Sequence, residues 1–270
     1  MTAPTAMTSH NEPLPVHFTA PWQNPAARGL FAATGWVEEI GALRWLASGV
    51  EIKPTNTGAA DSCGVWGADW CAQPGDLTPD DIKEGTRPEP LAPFAAITTW
   101  AYDGCDLTAD SRPEVRERAE AVHRLREPLL VEREFSARLI ADAGIADTAP
   151  DIVTALAAVD VLIAAQNIPA VIHASPRWIA PAAAANLLVR GSAPMFTTPS
   201  GARWVFGGGY IDSLDDTLIV TTPTYGWRGP LEIRDAVDAS GGTFATVAER
   251  SVVVAYEASL GAVQIVPPTP

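Results

Sequence analysis

Cysteine and histidine are scarce in this chain, whose 270 residues include three cysteines and four histidines. The cysteines, Cys63, Cys71 and Cys105, are too few for a disulfide-stabilised scaffold and are typical of a reducing compartment. A zinc site needs about four closely spaced ligands, and neither a CxxC nor an HxxxH pattern occurs. We therefore expect no metal and no other cofactor. We interpret the cysteines as unpaired buried thiols, with a Cys63–Cys71 bond across a hairpin as the alternative.

Long apolar runs are also lacking. No stretch approaches the roughly 18 consecutive apolar residues of a membrane-spanning helix. The opening residues, MTAPTAMTSHNEPLP, lack the basic and apolar regions of a secretory signal. The sequence therefore predicts no membrane partner and a protein that stays in the compartment where it is made. At 270 residues, it is long enough for one large domain or two modest ones.

Positive charge is the third scarcity. Lysine and arginine together number 18 against 32 acidic residues, which gives a net charge of −14. A dedicated nucleic-acid-binding protein would carry a basic stripe, so this class of function is disfavoured. An acidic surface suits a lining that confines DNA without binding it, but it also suits simple solubility. Composition does not separate these two explanations.

Catalytic motifs are missing as well. Ser175 is not part of a GxSxG nucleophile turn, and His173 has no acidic residue close by in the sequence. The triple glycine at 207–209 matches neither a GxGxxG fingerprint nor a P-loop. We interpret His173 as a core or interface residue and the glycines as a site of flexibility or close packing. We predict that the protein is not an enzyme.

The stretch 169–212 carries the densest pattern. The apolar run Ala170-Val171-Ile172 predicts a short buried strand. Ser175 followed by Pro176 predicts a helix start, with Ser175 as the cap and the helix ending near Gly191. Further strands are predicted near 194–197 and 202–206, and the second of these ends in the triple glycine. Together these elements predict a compact α/β unit.

A long helix is predicted over 112–143. Ser111 and Glu114 have the spacing of a capping box. Apolar residues then recur every three or four positions, and charged residues fill the remaining surface. Roughly 30 residues at about 1.5 Å each give a helix of about 45 Å. Pro128 lies within this pattern, and because the periodicity continues beyond it, we expect a bend in one helix.

Other elements follow from the same signals. A helix is predicted from Asp151 to Asn167. Strands are predicted at 50–52, 94–102, 217–221, 231–233, 251–255 and 262–266. Residues 55–93 are rich in Gly, Pro, Asp and Thr, with Trp66 and Trp70 as their aromatic residues. A loop of this length either serves a purpose or is a disordered linker.

Residues 1–35 are rich in Pro, Thr, Ala and Asn. This composition predicts an extended arm in place of a folded element, with a disordered tail as the alternative. Trp22, Phe31 and the adjoining Trp36 are more apolar anchors than a purely solvated tail would carry. The arm is therefore expected to find a surface to lie on.

The element order resembles that of the major capsid proteins of tailed bacteriophages, whose Hong Kong 97-type fold is shared with encapsulins. Three local motifs carry the resemblance: the ASPRW stretch at 174–178 opening a helix after a strand, the TTPSG turn at 197–201, and the acid–arginine pair Glu249-Arg250 ahead of an apolar strand. The resemblance covers about residues 36–266. It implies an α+β fold with an N-terminal arm, an extended β-hairpin loop, a long spine helix in a peripheral domain, and an α/β axial domain.

The resemblance also implies a division of the chain. The arm is 1–35, the peripheral domain is 36–147 with 236–270, and the axial domain is 148–235. Within the peripheral domain, the extended loop is about 55–93 and the spine helix about 112–143. In such capsids the arm and the loop reach over a neighbouring subunit. The implied interface candidates are therefore Trp22, Trp36, Trp66 and Trp70.

The function implied by the resemblance is structural. The chain would assemble with copies of itself into hexamers and pentamers of an icosahedral shell that encloses DNA without sequence-specific binding. It would be found in the virion after assembly in the host cytoplasm, with scaffolding, portal and decoration proteins as candidate further partners. Two alternatives stay open: a small α/β enzyme or ligand-binding domain built on 169–212, and a minor head or pentamer-specific virion protein.

Overall fold

The structure, a computed structural model, describes residues 18–58, 62–191 and 195–268. The helices are α1 (Leu30–Ala33), α2 (Trp45–Ser48), α3 (Ser111–Ala143), α4 (Ile152–Gln166) and α5 (Ile179–Ala184). The strands are β1 (Gly35–Glu38), β2 (Ile97–Asp106), β3 (Asp147–Ala149), β4 (Val171–Ala174), β5 (Val189–Arg190), β6 (Phe196–Thr197), β7 (Arg203–Phe206), β8 (Thr217–Thr221), β9 (Thr224–Arg228), β10 (Glu232–Asp238), β11 (Thr243–Tyr256) and β12 (Ser259–Ile265). Within these described ranges, no helix combines the length and apolarity that a membrane crossing requires.

The strands form two sheets. The five-stranded sheet runs β1-β9-β11-β10, with β2 paired to the other edge of β11. The seven-stranded sheet runs β3-β12-β8-β4-β7-β6-β5. β11 organises the first sheet, since its 14 residues pair with β2, β9 and β10. β12 follows it after a short turn and pairs with β8 in the second sheet, so one chain crossing links the two.

Helix α3 lies between the sheets. Its buried residues Val131, Phe135 and Leu139 share one core with β11 of the five-stranded sheet and with Val171 and Val205 of the seven-stranded sheet. Helix α4 covers the opposite face of the seven-stranded sheet, where it contributes to a second core. The predicted spine helix is therefore confirmed, and it connects two layers.

The predicted bend position at Pro128 lies inside a continuous helix of 33 residues. Helix is present on both sides of the proline, as predicted. The predicted cap is wrong, because the helix starts at Ser111 and Asp110 occupies the N-cap position. The Ser111 hydroxyl donates to the carboxylate of Asp106 in the preceding strand and makes no capping bond.

A buried carboxylate joins α3 to two distant segments. Glu132 accepts hydrogen bonds from the backbone N–H of Leu30 at 2.8 Å and of Gly209 at 2.9 Å. Burial raises the pKa of this carboxyl group, while the backbone hydrogen bonds oppose that rise. A Cβ atom on Gly209 would lie 2.3 Å from the carbonyl oxygen of Leu129. The glycines at 207–209 therefore serve close packing against α3, which is one of the two interpretations that the sequence left open.

The end of the predicted arm is folded. Leu30 is fully buried in the core shared with α3, and β1 pairs in parallel with β9. The prediction of an extended segment over 1–35 is therefore wrong at its C-terminal end, because Leu30 and Ala33 supply apolar surface to the core. The first 17 residues of the arm lie outside the described part of the chain.

Several element predictions need correction. Helix α5 ends at Ala184, well before Gly191, because Asn186 adopts a left-handed backbone conformation (φ 58°) that stops the helix. Ser175 lies at the predicted cap position, but its side chain makes no capping hydrogen bond. The predicted strand at 50–52 is reduced to one bridge between Val50 and Phe94. By contrast, α4 begins after Asp151, whose carboxylate caps it, and stops at Asn167, as predicted.

Strand pairing also differs from the predicted domain limits. β9 belongs to the five-stranded sheet although 148–235 was assigned to the axial domain. β12 belongs to the seven-stranded sheet although 236–270 was assigned to the peripheral domain. Sequence patterns identify strands but not their partners, and β9 was missed because Gly226 interrupts its β-forming residues. The division into two domains itself stays a prediction.

Candidate assembly surface

The segment 55–93 leaves and re-enters the fold at one antiparallel pair. Val50 and Phe94 exchange backbone hydrogen bonds of 3.0 and 2.8 Å. Between them, the described residues form two short 3-10 turns, Pro74–Asp76 and Pro79–Asp81, and no strand. The predicted β-hairpin is therefore limited to its base, because prolines cannot donate to a strand ladder and favour turns.

Short-range polar contacts shape this segment. The carboxylate of Asp81 accepts the backbone N–H of Thr78 at 2.9 Å and its hydroxyl at 2.7 Å, and these bonds lower the pKa of Asp81. The ammonium of Lys83 lies 4.5 Å from the ring centroid of Trp66. No described residue of 55–93 is buried. The segment has local order but no core of its own.

Two of the predicted interface residues lie on this segment. Trp70 is 94% exposed and Trp66 is 45% exposed, and the neighbouring Val65 is almost completely exposed. Large apolar side chains grouped on one exposed segment are typical of surfaces that bind a partner. The structure therefore places Trp66 and Trp70 where a second molecule could cover them.

The other two tryptophans lie elsewhere. Trp22 rests on the outer side of α3, where its Nε1–H donates to Glu117 at 3.1 Å and the guanidinium of Arg124 lies 5.8 Å from its ring. Trp36 is partly buried within the chain: its ring centroid is 4.6 Å from that of Phe31, and its Nε1–H donates to the Phe31 carbonyl oxygen at 3.0 Å. Trp36 thus already has partners that Trp70 lacks.

A cavity of about 310 Å³ separates these two tryptophans, with Arg124 beside Trp22 and Arg228 beside Trp36 in its lining. Two buried groups of α3 also line it. Burial raises the pKa of Glu127, although Arg250 opposes this at 3.3 Å. Burial likewise lowers the pKa of His123. This cavity of mixed charge was not predicted, because α3, β9 and β11 meet here only in three dimensions.

Sequence reasoning also missed an exposed aromatic face on β2. Trp100 and Tyr102 point away from α3 and are exposed, while the alternate residues Thr99 and Ala101 are buried. Val247 of β11 lies opposite Tyr102 in the sheet. The alternation of aromatic and small residues along β2 was the available signal, since the two faces of a strand alternate.

No catalytic arrangement involves His173 or Ser175. His173 is fully buried and hydrogen-bonded to the hydroxyls of Tyr210 (3.2 Å) and Thr221 (3.0 Å), and burial lowers its pKa to about 3. Its interpretation as a core residue is confirmed. Ser175 is buried and its hydroxyl contacts no hydrogen-bonding group among the described residues. Across the ranges that the structure describes, no three acidic, histidine or cysteine side chains are grouped as metal ligands.

The cysteines differ from their prediction in one respect. Cys63, Cys71 and Cys105 are all exposed, so the expectation of buried thiols is wrong. Cys63 and Cys71 lie on the segment 55–93, which contains no buried residue in its described part. They are not joined to each other by a disulfide in the structure.

No family model matches the chain, and no curated protein is similar to it in sequence. Solved structures are similar in fold. The structure of Mycobacterium phage Adephagia is 11% identical, covers 93% of this chain and 92% of its own, and has a TM-score of 0.52. The capsid of a native GTA particle is 10% identical, with coverage of 98% and 100% and a TM-score of 0.51. The mature capsid of bacteriophage PhiM1 is 12% identical, with coverage of 97% and 93% and a TM-score of 0.50. With its spine helix between two sheets, the chain therefore has the Hong Kong 97-type fold of phage capsid proteins.

Proposed function

We propose that this chain is the structural head subunit of a tailed phage. Copies of it assemble into hexamers and pentamers of an icosahedral shell that encloses DNA. The observation that carries this proposal is the segment 55–93, which the fold holds at its base while Trp70 remains 94% exposed. An isolated monomer would leave this apolar surface in water, whereas a neighbouring subunit would bury it.

The charge and the fold support the same proposal. A net charge of −14 suits a shell that confines DNA without binding it tightly. The fold is that of solved phage capsids over nearly the whole chain. In this role the protein resides in the virion after assembly in the host cytoplasm. Scaffolding, portal and decoration proteins would be its further partners.

Electron microscopy of the purified recombinant protein tests the proposal. Closed shells, or free hexamers and pentamers, are the expected result over a range of protein and salt concentrations. Sedimentation velocity on the same samples gives the mass of the assemblies. A protein that stays strictly monomeric at every concentration, and whose segment 55–93 resists proteolysis as a monomer, would contradict the proposal.

A further inference from the structure

The segment 55–93 is held at its start by one carboxylate. Oε1 of Glu257, in the turn between β11 and β12, accepts the backbone N–H groups of Thr55 at 2.5 Å and Asn56 at 2.5 Å. The same oxygen accepts the backbone N–H of Thr57 at 2.9 Å and its hydroxyl at 3.1 Å. Oε2 accepts the side-chain amide of Asn56 at 2.8 Å. Three consecutive residues are thus fixed by a single side chain 200 positions away.

The carboxylate itself is held firmly. Glu257 is buried, and Thr222 on the neighbouring chain accepts the backbone N–H groups of Glu257 at 2.9 Å and Ala258 at 3.2 Å. Burial alone would raise the pKa of Glu257, but the hydrogen bonds from residues 55–57 outweigh it and lower the pKa to about 2. Hydrogen bonds to a charged acceptor are stronger than those between neutral groups.

The end of the segment is held by a cation on α3. The guanidinium of Arg138 donates to the carbonyl oxygens of Ala92 at 2.7 Å and Pro93 at 3.2 Å. It also lies 4.1 Å from the ring centroid of Phe94. Arg138 is held in turn by Asp142, at 2.6 Å.

The two anchors are coupled through one tyrosine. Tyr256 directly precedes Glu257, and its hydroxyl donates to Asp142 at 2.7 Å, the residue that holds Arg138. Its ring centroid also lies 4.9 Å from that of Phe94. The beginning and the end of the segment are therefore tied to the same end of β11, while everything between them lacks a core.

We propose that Glu257 and Arg138 form a two-point clamp that fixes the direction in which the segment 55–93 leaves the subunit, and that this direction is required for one subunit to engage the next. Both are positioning residues, because neither is expected to touch the neighbouring subunit. The inference rests on the proposed assembly function. Without the clamp, the fold would persist but the segment would point in many directions, and each contact with a neighbour would carry an added ordering cost.

Hydrogen–deuterium exchange on the unassembled subunit tests the clamp without reference to assembly. Glu257→Ala should speed exchange of the amides of residues 55–57 by about tenfold or more, since each loses a charged acceptor. Glu257→Gln, which keeps an acceptor oxygen but no charge, should give an intermediate rate and serves if the alanine variant fails to fold. Glu249→Ala is the matched control on the same strand, because its carboxylate pairs with Arg234 away from the segment. Unchanged exchange at 55–57 in both Glu257 variants would overturn the clamp.

The assembly step has its own readout. Glu257→Ala and Arg138→Met should reduce the yield of shells about tenfold, whereas Glu249→Ala should assemble as the wild type does, with melting temperatures of all variants within a few degrees. Faster exchange together with wild-type shell yield would overturn the role in assembly. If the wild-type protein itself forms no assemblies, the proposed function fails, and the assembly role fails with it, while the exchange result still decides the clamp.

Discussion

Gly209 lies so close to Glu132 that no side chain fits between them: its N–H donates to the Glu132 carboxylate at 2.9 Å, and a Cβ on Gly209 would lie 2.6 Å from the Glu132 Cβ. The same carboxylate holds Leu30 at the start of the folded chain. One residue of the long helix therefore ties the N-terminal segment and the glycine turn to the centre of the fold. Stability should depend on this junction more than on any exposed part of the chain.

Gly209→Ala should lower the free energy of unfolding by about 1–3 kcal/mol, because the added methyl group would have to displace the backbone of α3. Gly35→Ala is the matched control, since a Cβ there meets no atom within 4 Å. Urea unfolding of dissociated subunits measures both. Equal effects of the two substitutions would show that the loss of glycine flexibility, and not packing at Glu132, determines the result.

Pro128→Ala should raise the free energy of unfolding by at least about 1 kcal/mol, because it restores a backbone hydrogen bond in the interior of α3. Pro113→Ala is the matched control: Pro113 lies in the first turn, where backbone N–H groups have no partner within the helix. Thermal unfolding followed by circular dichroism compares the two. A destabilised Pro128→Ala protein would mean that the ring's packing at the cavity outweighs the missing bond.

The double substitution Trp66→Ala and Trp70→Ala should abolish shell formation while the melting temperature changes by no more than about 2 °C, because exposed aromatic residues contribute only when a partner buries them. Trp36→Ala is the contrasting variant. Its ring packs on Phe31, so it should cost about 1–3 kcal/mol of stability in the monomer. Sedimentation velocity and electron microscopy measure assembly. A comparable loss of monomer stability in the double variant would place these tryptophans in the core.

His173 should make the subunit sensitive to acid. Its pKa is lowered to about 3 in the folded state, so the unfolded chain binds the proton more readily between that value and about 6.5. This contribution to stability is complete above about pH 6.5 and is lost as the pH falls towards 3, by about 1.4 kcal/mol per pH unit. Unfolding free energies of wild type and His173→Gln from pH 7 to 4 measure it. His123 is present in both proteins, so parallel pH profiles would contradict the assignment to His173.

Local patterns were enough to predict most elements but not all of their limits. The apolar repeat of α3, the Asp151 cap of α4 and the run Thr217–Thr221 of β8 are all confirmed. The early end of α5 was missed because it depends on the backbone conformation of Asn186. β9 was missed because a strand containing Gly226 is stabilised by its neighbours β1 and β11, which lie far away in the sequence.

The candidate surface was predictable in part. A long segment poor in apolar residues, with Trp66 and Trp70 within it, pointed to exposed aromatic side chains, and the structure shows both exposed. Trp36 could not be separated from them, since its partner Phe31 is revealed only by the folded arrangement. The Glu257 and Arg138 anchors left no local signal at all, because an acid and a base on regular elements are common on any protein surface.

The sequence by itself determined where the chain is helical, where most of it is extended, and which long segment has no core, because periodicity, caps and composition are local properties. Only the tertiary structure decided which strands share a sheet, why three glycines follow β7, and which side chains hold the segment 55–93. Those outcomes depend on contacts such as Glu132 with Leu30, 102 residues apart, and Glu257 with Thr57, 200 apart. The energy of such a contact depends on burial and on partners brought together by the whole fold, and no window of neighbouring residues contains that information.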